Sequence, residues 1–295
     1  MYMNNSSIGE KIFNFFNGSF LVLLALSCVV PFIHVLAVSL SDSPSASAGT
    51  VGLWPININF DSYLFAFKKQ RFISSILVSV NRLWLGVLIN TVFTILTAYP
   101  LSKNKRELKG RSIFSWFFVI TMLIGGGLIP TYMVVMGTGL RNTIWALILP
   151  GAVPVYNMVI LINFFRQLPK ELEESAFLDG AGQWRILAQI FIPLSMPALA
   201  TLVIFQSVAH WNEWFSGLIY MDNIEKYPLA SYMQNILVRP NFDNMSTDQI
   251  RDVLKISDRS FSSAQIIIST IPIILVYPFL QRYFVKGMTL GSLKG

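Results

Sequence analysis

The sequence predicts an all-α membrane protein with six transmembrane helices and one cytoplasmic helix-elbow-helix loop. Three observations carry this reading. The chain of 295 residues is 54% hydrophobic and only 13% charged, with a mean hydropathy of +0.57, a balance too apolar for a soluble protein of this length. Its apolar residues gather into long, nearly uncharged runs of roughly the ~20 residues needed to cross ~30 Å of hydrocarbon. Finally, residues 168–197 carry acidic, glycine and proline punctuation that belongs to a structured loop rather than to a tether.

The apolar runs lie near 18–40, 83–101, 113–135, 142–165, 197–221 and 263–281. A transmembrane barrel would instead show segments of about 10 residues with alternating polarity, and these runs show none. The first run is followed by Ala46-Ser47-Ala48, which resembles a cleavage site. The run is nevertheless longer than the roughly 7–15 residues of a signal core, so it reads as a span. Cys28 is the only cysteine and supports neither a disulfide nor a metal cluster. No repeat and no polar linker divides the chain, so residues 1–295 read as a single transmembrane domain.

The net charge of +7 follows from topology. Lys103, Lys105, Arg106, Lys109 and Arg111 crowd the loop between the second and third spans, whereas the next short loop holds only Arg141. The positive-inside rule then makes the first of these loops cytoplasmic. Six spans put both termini inside, together with the 166–197 loop. The segments 41–72 and 222–262 fall outside. No nucleic-acid role is needed to explain the basic balance.

Within the cytoplasmic loop, Pro169 suits the first turn of a helix, and Glu171, Glu173 and Glu174 add the acidic charge favoured there. Gly180, after Asp179, can supply the left-handed backbone that ends this helix. Trp184, Leu187, Ala188 and Phe191 then recur at helical spacing, and Pro193 and Pro197 turn the chain into the membrane. From the residues alone two readings stand: a docking element for a partner, or an interfacial helix resting on headgroups.

In the fifth run, Gln206, His210, Glu213 and Gly217 form a polar stripe at i, i+4, i+7 and i+11, flanked by Trp211, Asn212 and Trp214. Polar groups in hydrocarbon line a cavity or a helix contact. Aromatic rings beside amide and carboxylate groups suit a sugar, whose C–H face packs on a ring while its hydroxyls take hydrogen bonds. Arg82, at the mouth of the second span, either snorkels to the headgroups or faces the pore, where it would favour an acidic sugar. His34 is the only other histidine and lies far from His210 in sequence. Neither a metal site nor a catalytic constellation is expected. Gly125-Gly126-Gly127 with Pro130, Pro150-Gly151 with Pro154, and Pro272 with Pro278 interrupt spans and serve either as hinges or as static kinks.

The run Glu174-Ser175-Ala176, Asp179-Gly180-Ala181, Ile190, Pro193, Pro197 resembles the EAA loop of binding-protein-dependent ABC importer permeases, with Ser175 in place of the usual first alanine. Leu168-Pro169-Lys170-Glu171-Leu172, Trp54-Pro55, Ala98-Tyr99-Pro100-Leu101-Ser102-Lys103, Ile129-Pro130-Thr131-Tyr132, Trp211-Asn212-Glu213 and the tail from Phe284 to Gly295 are similar to the carbohydrate branch of that family. The long segment 222–262 is most like the lipoprotein-associated subgroup. The resemblance implies a bacterial inner-membrane permease subunit without catalysis of its own, importing a sugar or oligosaccharide by alternating access. It implies two ATPase subunits carrying ATP and Mg, a second homologous and usually different permease, and an external solute-binding protein. No phosphate-binding G-x-x-x-x-G-K-[ST] loop occurs here, in keeping with an engine on another chain.

Residue by residue, the resemblance places Glu173, Glu174, Ala176, Asp179, Gly180, Ala181 and Pro193 at the ATPase coupling surface. Gln206, His210, Trp211, Asn212, Glu213, Trp214 and Arg82 are the candidate substrate pathway. Tyr232, Asn235 and Arg239 are the candidate contacts to the binding protein, in a loop that begins at Tyr227-Pro228-Leu229. The alternative function is a secondary transporter driven by an ion gradient through Glu213, which would have no use for the elbow.

Overall fold

The computed structural model describes residues 8–238 and 259–275. Among them the chain is helical throughout. α1 (Ile8–Ser39) and α4 (Gln70–Ser102) are the two helices long and apolar enough to cross a bilayer unbroken. The short helices α2 (Ser43–Ala48) and α3 (Asp61–Lys68) lie between them in the chain. Then come α5 (Arg111–Leu123), α6 (Leu128–Gly137), α7 (Val155–Gln167), α8 (Lys170–Leu178), α9 (Gln183–Ile186), α10 (Ile192–Leu194), α11 (Met196–Asn212), α12 (Phe215–Tyr220), α13 (Leu229–Val238) and α14 (Arg259–Leu275).

Three of the expected spans are not single rods. α5 and α6 meet at 115°, the 3₁₀ segment Ile144–Gly151 and α7 at 48°, and the run Gln183–Leu194 and α11 at 79°. The expected span 113–135 is therefore corrected to two helices broken at Gly125-Gly126-Gly127, where Gly127 takes φ +82°. The expected span 197–221 ends at Asn212, because Glu213 leaves the helical region at ψ 115° and α12 restarts at Phe215. The second span begins earlier than expected, at Gln70. α14 is apolar but short, and the expected span 263–281 runs past the described residues.

The described residues form two compact units. In the first, α1 to α3 and the start of α14 pack around small side chains. Asp42 caps α2 by accepting from Ser45 N at 3.1 Å and from Asn57 Nδ2 at 2.8 Å. Ser39 and Tyr63 share a 2.7 Å hydroxyl bond, and Phe65 meets Phe261 edge-on at 5.2 Å.

The second unit is organised on α4. Ser75, Ser79, Arg82, Gly86, Asn90, Thr94 and Ala98 form a stripe along it, and every one is buried. Small and polar residues at this spacing let neighbouring helices approach closely, the packing mode that replaces the hydrophobic effect inside a bilayer. α11 runs along this stripe, and α7 packs on the same helix around Met158, Leu161 and Phe165. The segment expected to be an outer loop at 222–262 is corrected in its first part. α13 is a helix anchored to α4, with Leu229 N donating to Ser79 Oγ at 2.7 Å.

Candidate functional site: the elbow and the α4–α11 seam

α8 starts one residue later than the sequence suggested, with the extended Pro169 as its cap. It ends as expected. Gly180 has φ +79°, Ala181 N donates to Ala176 O at 2.9 Å and Gly180 N to Phe177 O at 3.0 Å. This crossed pair closes the last turn and needs a left-handed residue, which glycine adopts without the steric cost of a Cβ. The elbow is thus a fixed corner.

Past the corner, the chain runs through α9, a π-helical turn at Leu187–Phe191 and α10 before bending at Ser195 into α11. The π turn adds a residue to the helical repeat and rotates the following side chains. The expected apolar face is corrected in part. Ile186, Leu187 and Phe191 are buried, whereas Trp184 is 74% exposed and Ala188 is exposed as well. A groove of about 390 Å³ opens between the two arms, lined by Leu172, Ala176, Asp179, Ile190, Pro193 and others. Three of the expected coupling residues therefore share one surface. Glu174 is exposed on α8, and Leu178 at its end is 89% exposed. Glu173 is different. It turns inward and pairs with Lys103 at the end of α4.

The expected polar stripe of α11 meets α4 group by group. Thr91 Oγ1 donates to Gln206 Oε1 at 2.9 Å, and Asn90 Nδ2 donates to His210 Nε2 at 3.2 Å. The His210 ring lies where Gly86 leaves room, since a Cβ there would stand 2.5 Å from it. Interhelical hydrogen bonds in membranes average only about 0.6 kcal/mol, so these pairs fix register more than they add stability. Beyond Asn212, Gly217 packs against Ser231, whose hydroxyl donates to Trp214 O at 2.6 Å.

Arg82 does not snorkel, and that reading is corrected. It is 3% exposed in the middle of a helix, and its Nη2 meets Glu213 Oε2 at 2.5 Å. It also donates to Glu213 O at 2.9 Å and Leu147 O at 3.3 Å. Sequence periodicity gave no signal for this pair, because its members stand 131 positions apart. Of the candidate pathway residues, Gln206, His210 and Trp211 are buried, Glu213 is part-exposed, and Asn212 and Trp214 are exposed. Among the candidate binding-protein contacts, Tyr232 is buried against Phe72 with ring centres 6.1 Å apart, so its ring does not face outward. Asn235 is half-buried, and Arg239 lies outside the described residues.

A helical membrane fold, broken at proline and glycine and carrying one rigid elbow, is that of a membrane transport component. The model of the family described as "binding-protein-dependent transport system inner membrane component" matches residues 68–290, and the chain belongs to that family. It is 36% identical over 293 residues to Protein LplC of Bacillus subtilis (strain 168), covering 99% of this chain and 98% of that one. It is also 36% identical over 286 residues to the polygalacturonan/rhamnogalacturonan transport system permease protein YtcP of the same organism, covering 97% and 99%. Among solved structures it is similar to a chain of a bacterial ABC transporter involved in the import of the acidic polysaccharide alginate. That match has a TM-score of 0.87 and 29% identity over 95% of this chain and 99% of that one. The chain is a permease subunit of an ABC importer, and family membership overturns the alternative of a secondary transporter.

Proposed function

We propose that this permease imports an acidic oligosaccharide, in complex with a second homologous permease and two ATPase subunits, after an external binding protein delivers it. The observation that carries the coupling half of this reading is the elbow. A rigid, glycine-locked corner presents Glu174, Leu178 and Trp184 outward, and exposed apolar groups beside a carboxylate suit a partner with a basic, partly apolar cleft. Closure of the ATPase pair around ATP would move α8 as a lever. The motion passes through α9, the π turn and the bend at Ser195 into α11.

The substrate class is supported by the similar proteins, whose names give alginate and polygalacturonan/rhamnogalacturonan. Arg82 is not the group that reads the acid, because Glu213 already neutralises it. Asn212 and Trp214, exposed where α11 ends, are the pathway residues that best fit a passing sugar. Both termini and the elbow lie in the cytoplasm in this scheme.

The test is uptake by proteoliposomes holding the complete transporter and its binding protein, with labelled oligogalacturonate, an uncharged oligosaccharide and ATP inside. ATP-dependent accumulation of the acidic sugar supports the proposal. Transport of the neutral sugar alone contradicts the substrate class, and uptake without ATPase subunits contradicts the coupling.

A further inference from the structure

The last turn of α4 and the residue that follows it grip both arms of the elbow. On one arm, the Lys103 ammonium pairs with Glu173 of α8. On the other, Tyr99 Oη donates at 2.5 Å to Oε1 of Gln183, the first residue of α9. The Tyr99 ring also meets the Phe191 ring edge-on at 5.0 Å. The same ammonium binds these parts together, lying 4.2 Å from the centre of the Tyr99 ring and 4.5 Å from that of Phe191.

Lys103 is only 9% exposed, which is unusual for a strongly hydrated ammonium group. A carboxylate and two aromatic faces replace its water, and removing the carboxylate would leave a buried charge without compensation. The backbone around it is fixed too. Lys103 O accepts from Arg111 Nη1 at 3.1 Å, and Leu101 O accepts from Arg166 Nη2 at 3.0 Å. The elbow therefore cannot rotate against α4 without breaking a buried ion pair and separating the edge-on Tyr99 and Phe191 rings.

We propose that Lys103 is a positioning residue for energy coupling, clamping the elbow to α4 so that its displacement reaches the second span directly as well as through the bend at Ser195. Resting on the docking reading above, this assigns transport-coupled motion to two helices that start from one joint. Because α4 also holds α11 through Arg82 and Glu213, both helices would move as one body.

The experiment uses the complete transporter in proteoliposomes and reads two quantities: ATP hydrolysis with and without sugar-loaded binding protein, and sugar uptake per ATP. The variants are Lys103→Met, Lys103→Arg, Glu173→Gln and the double variant Lys103→Met/Glu173→Gln. Lys103→Met is expected to keep its ATPase subunits while uptake per ATP falls roughly three- to thirtyfold, the range that coupling residues span. Lys103→Arg, which preserves the charge and the stacking, is expected to retain most coupling, and the double variant to be no worse than Lys103→Met. Unchanged uptake per ATP in both Lys103→Met and Glu173→Gln overturns the proposal. Additive losses in the double variant overturn it as well, because the two residues would then act separately. If Lys103→Met fails to assemble, Lys103→Arg and Glu173→Gln decide: coupling kept in the first and lost in the second supports the clamp, and any other result overturns it. Absence of ATPase subunits from the wild-type complex would sink the docking reading itself, a result distinct from these.

Discussion

Arg82 closes the end of α11 by holding Glu213 twice, through the carboxylate at 2.5 Å and through the backbone carbonyl at 2.9 Å. The carbonyl is one of those that a helix terminus leaves without a partner, and a cation there also favours the helix dipole. Ser216 completes the arrangement by donating both its backbone N–H, at 2.8 Å, and its hydroxyl to the same carboxylate. The break between α11 and α12 is thus a built corner.

Replacing Arg82 with leucine should open that corner. Glu213 is 36% exposed, so the loss falls between the roughly 1 kcal/mol of exposed pairs and the roughly 3–5 kcal/mol of fully buried ones. A lower unfolding temperature of the detergent-solubilised complex is the expected outcome, with Glu213→Gln milder because the amide oxygen still accepts from Arg82. An unchanged midpoint for Arg82→Leu would refute the structural role.

Gly86→Ala tests the seam. The added methyl meets the His210 ring, and overpacking of this kind costs typically about 1–3 kcal/mol. His210→Ala should relieve the clash, so the double variant should be more stable than the sum of the single losses predicts. Thermal unfolding of the four proteins in one double-mutant cycle measures the coupling directly.

At Gly180, the expected order of uptake activity is Gly, then Asn, then Ala, then Pro. A left-handed residue with a Cβ costs about 1–2 kcal/mol, asparagine adopts the conformation more readily, and proline cannot reach φ +79° at all. Proline also deletes the N–H that bonds Phe177 O. Equal uptake by the alanine and proline variants would show that the corner is not needed in its present form.

Asp42 gives a pH dependence outside the membrane spans. Hydrogen bonds from Ser45 and then Asn57 hold its carboxyl below the ordinary carboxylate value. A folded-state pKa below the unfolded one means that the stabilisation is complete above the ordinary value and fades as pH falls through the lowered one. Protection of the 41–60 segment from proteolysis should therefore weaken on strong acidification, and Asp42→Asn should flatten that change.

Much of the elbow was legible because its signals are local. Gly180 after Asp179, acidic residues in the first turn of α8, and prolines at 193 and 197 each act on their own backbone, and the corner formed where they stand. The π turn was not legible. Trp184, Leu187, Ala188 and Phe191 fit an unbroken α-helix, and only the packed structure shows the π turn at Leu187–Phe191 and the exposure of Trp184 and Ala188. Long-range partners were hidden in the same way. Arg82 and Lys103 both read as boundary cations by position, yet each is buried against a carboxylate contributed by a distant helix. Of the expected polar stripe, Gln206 and His210 meet α4 while Glu213 and Gly217 lie past the end of α11, and periodicity alone does not tell a helix contact from a pore lining.

The most direct test of the account is a crosslink from the tip of the elbow. Cys28 is the only cysteine, so Cys28→Ser with Leu178→Cys places one thiol on the most exposed apolar residue of α8. In the complete transporter, a short heterobifunctional reagent at this position is predicted to join the chain to an ATPase subunit, with a yield that changes when ATP is bound. A thiol that yields no ATPase adduct, or that reacts only with impermeant reagents supplied from outside the cell, would contradict the account.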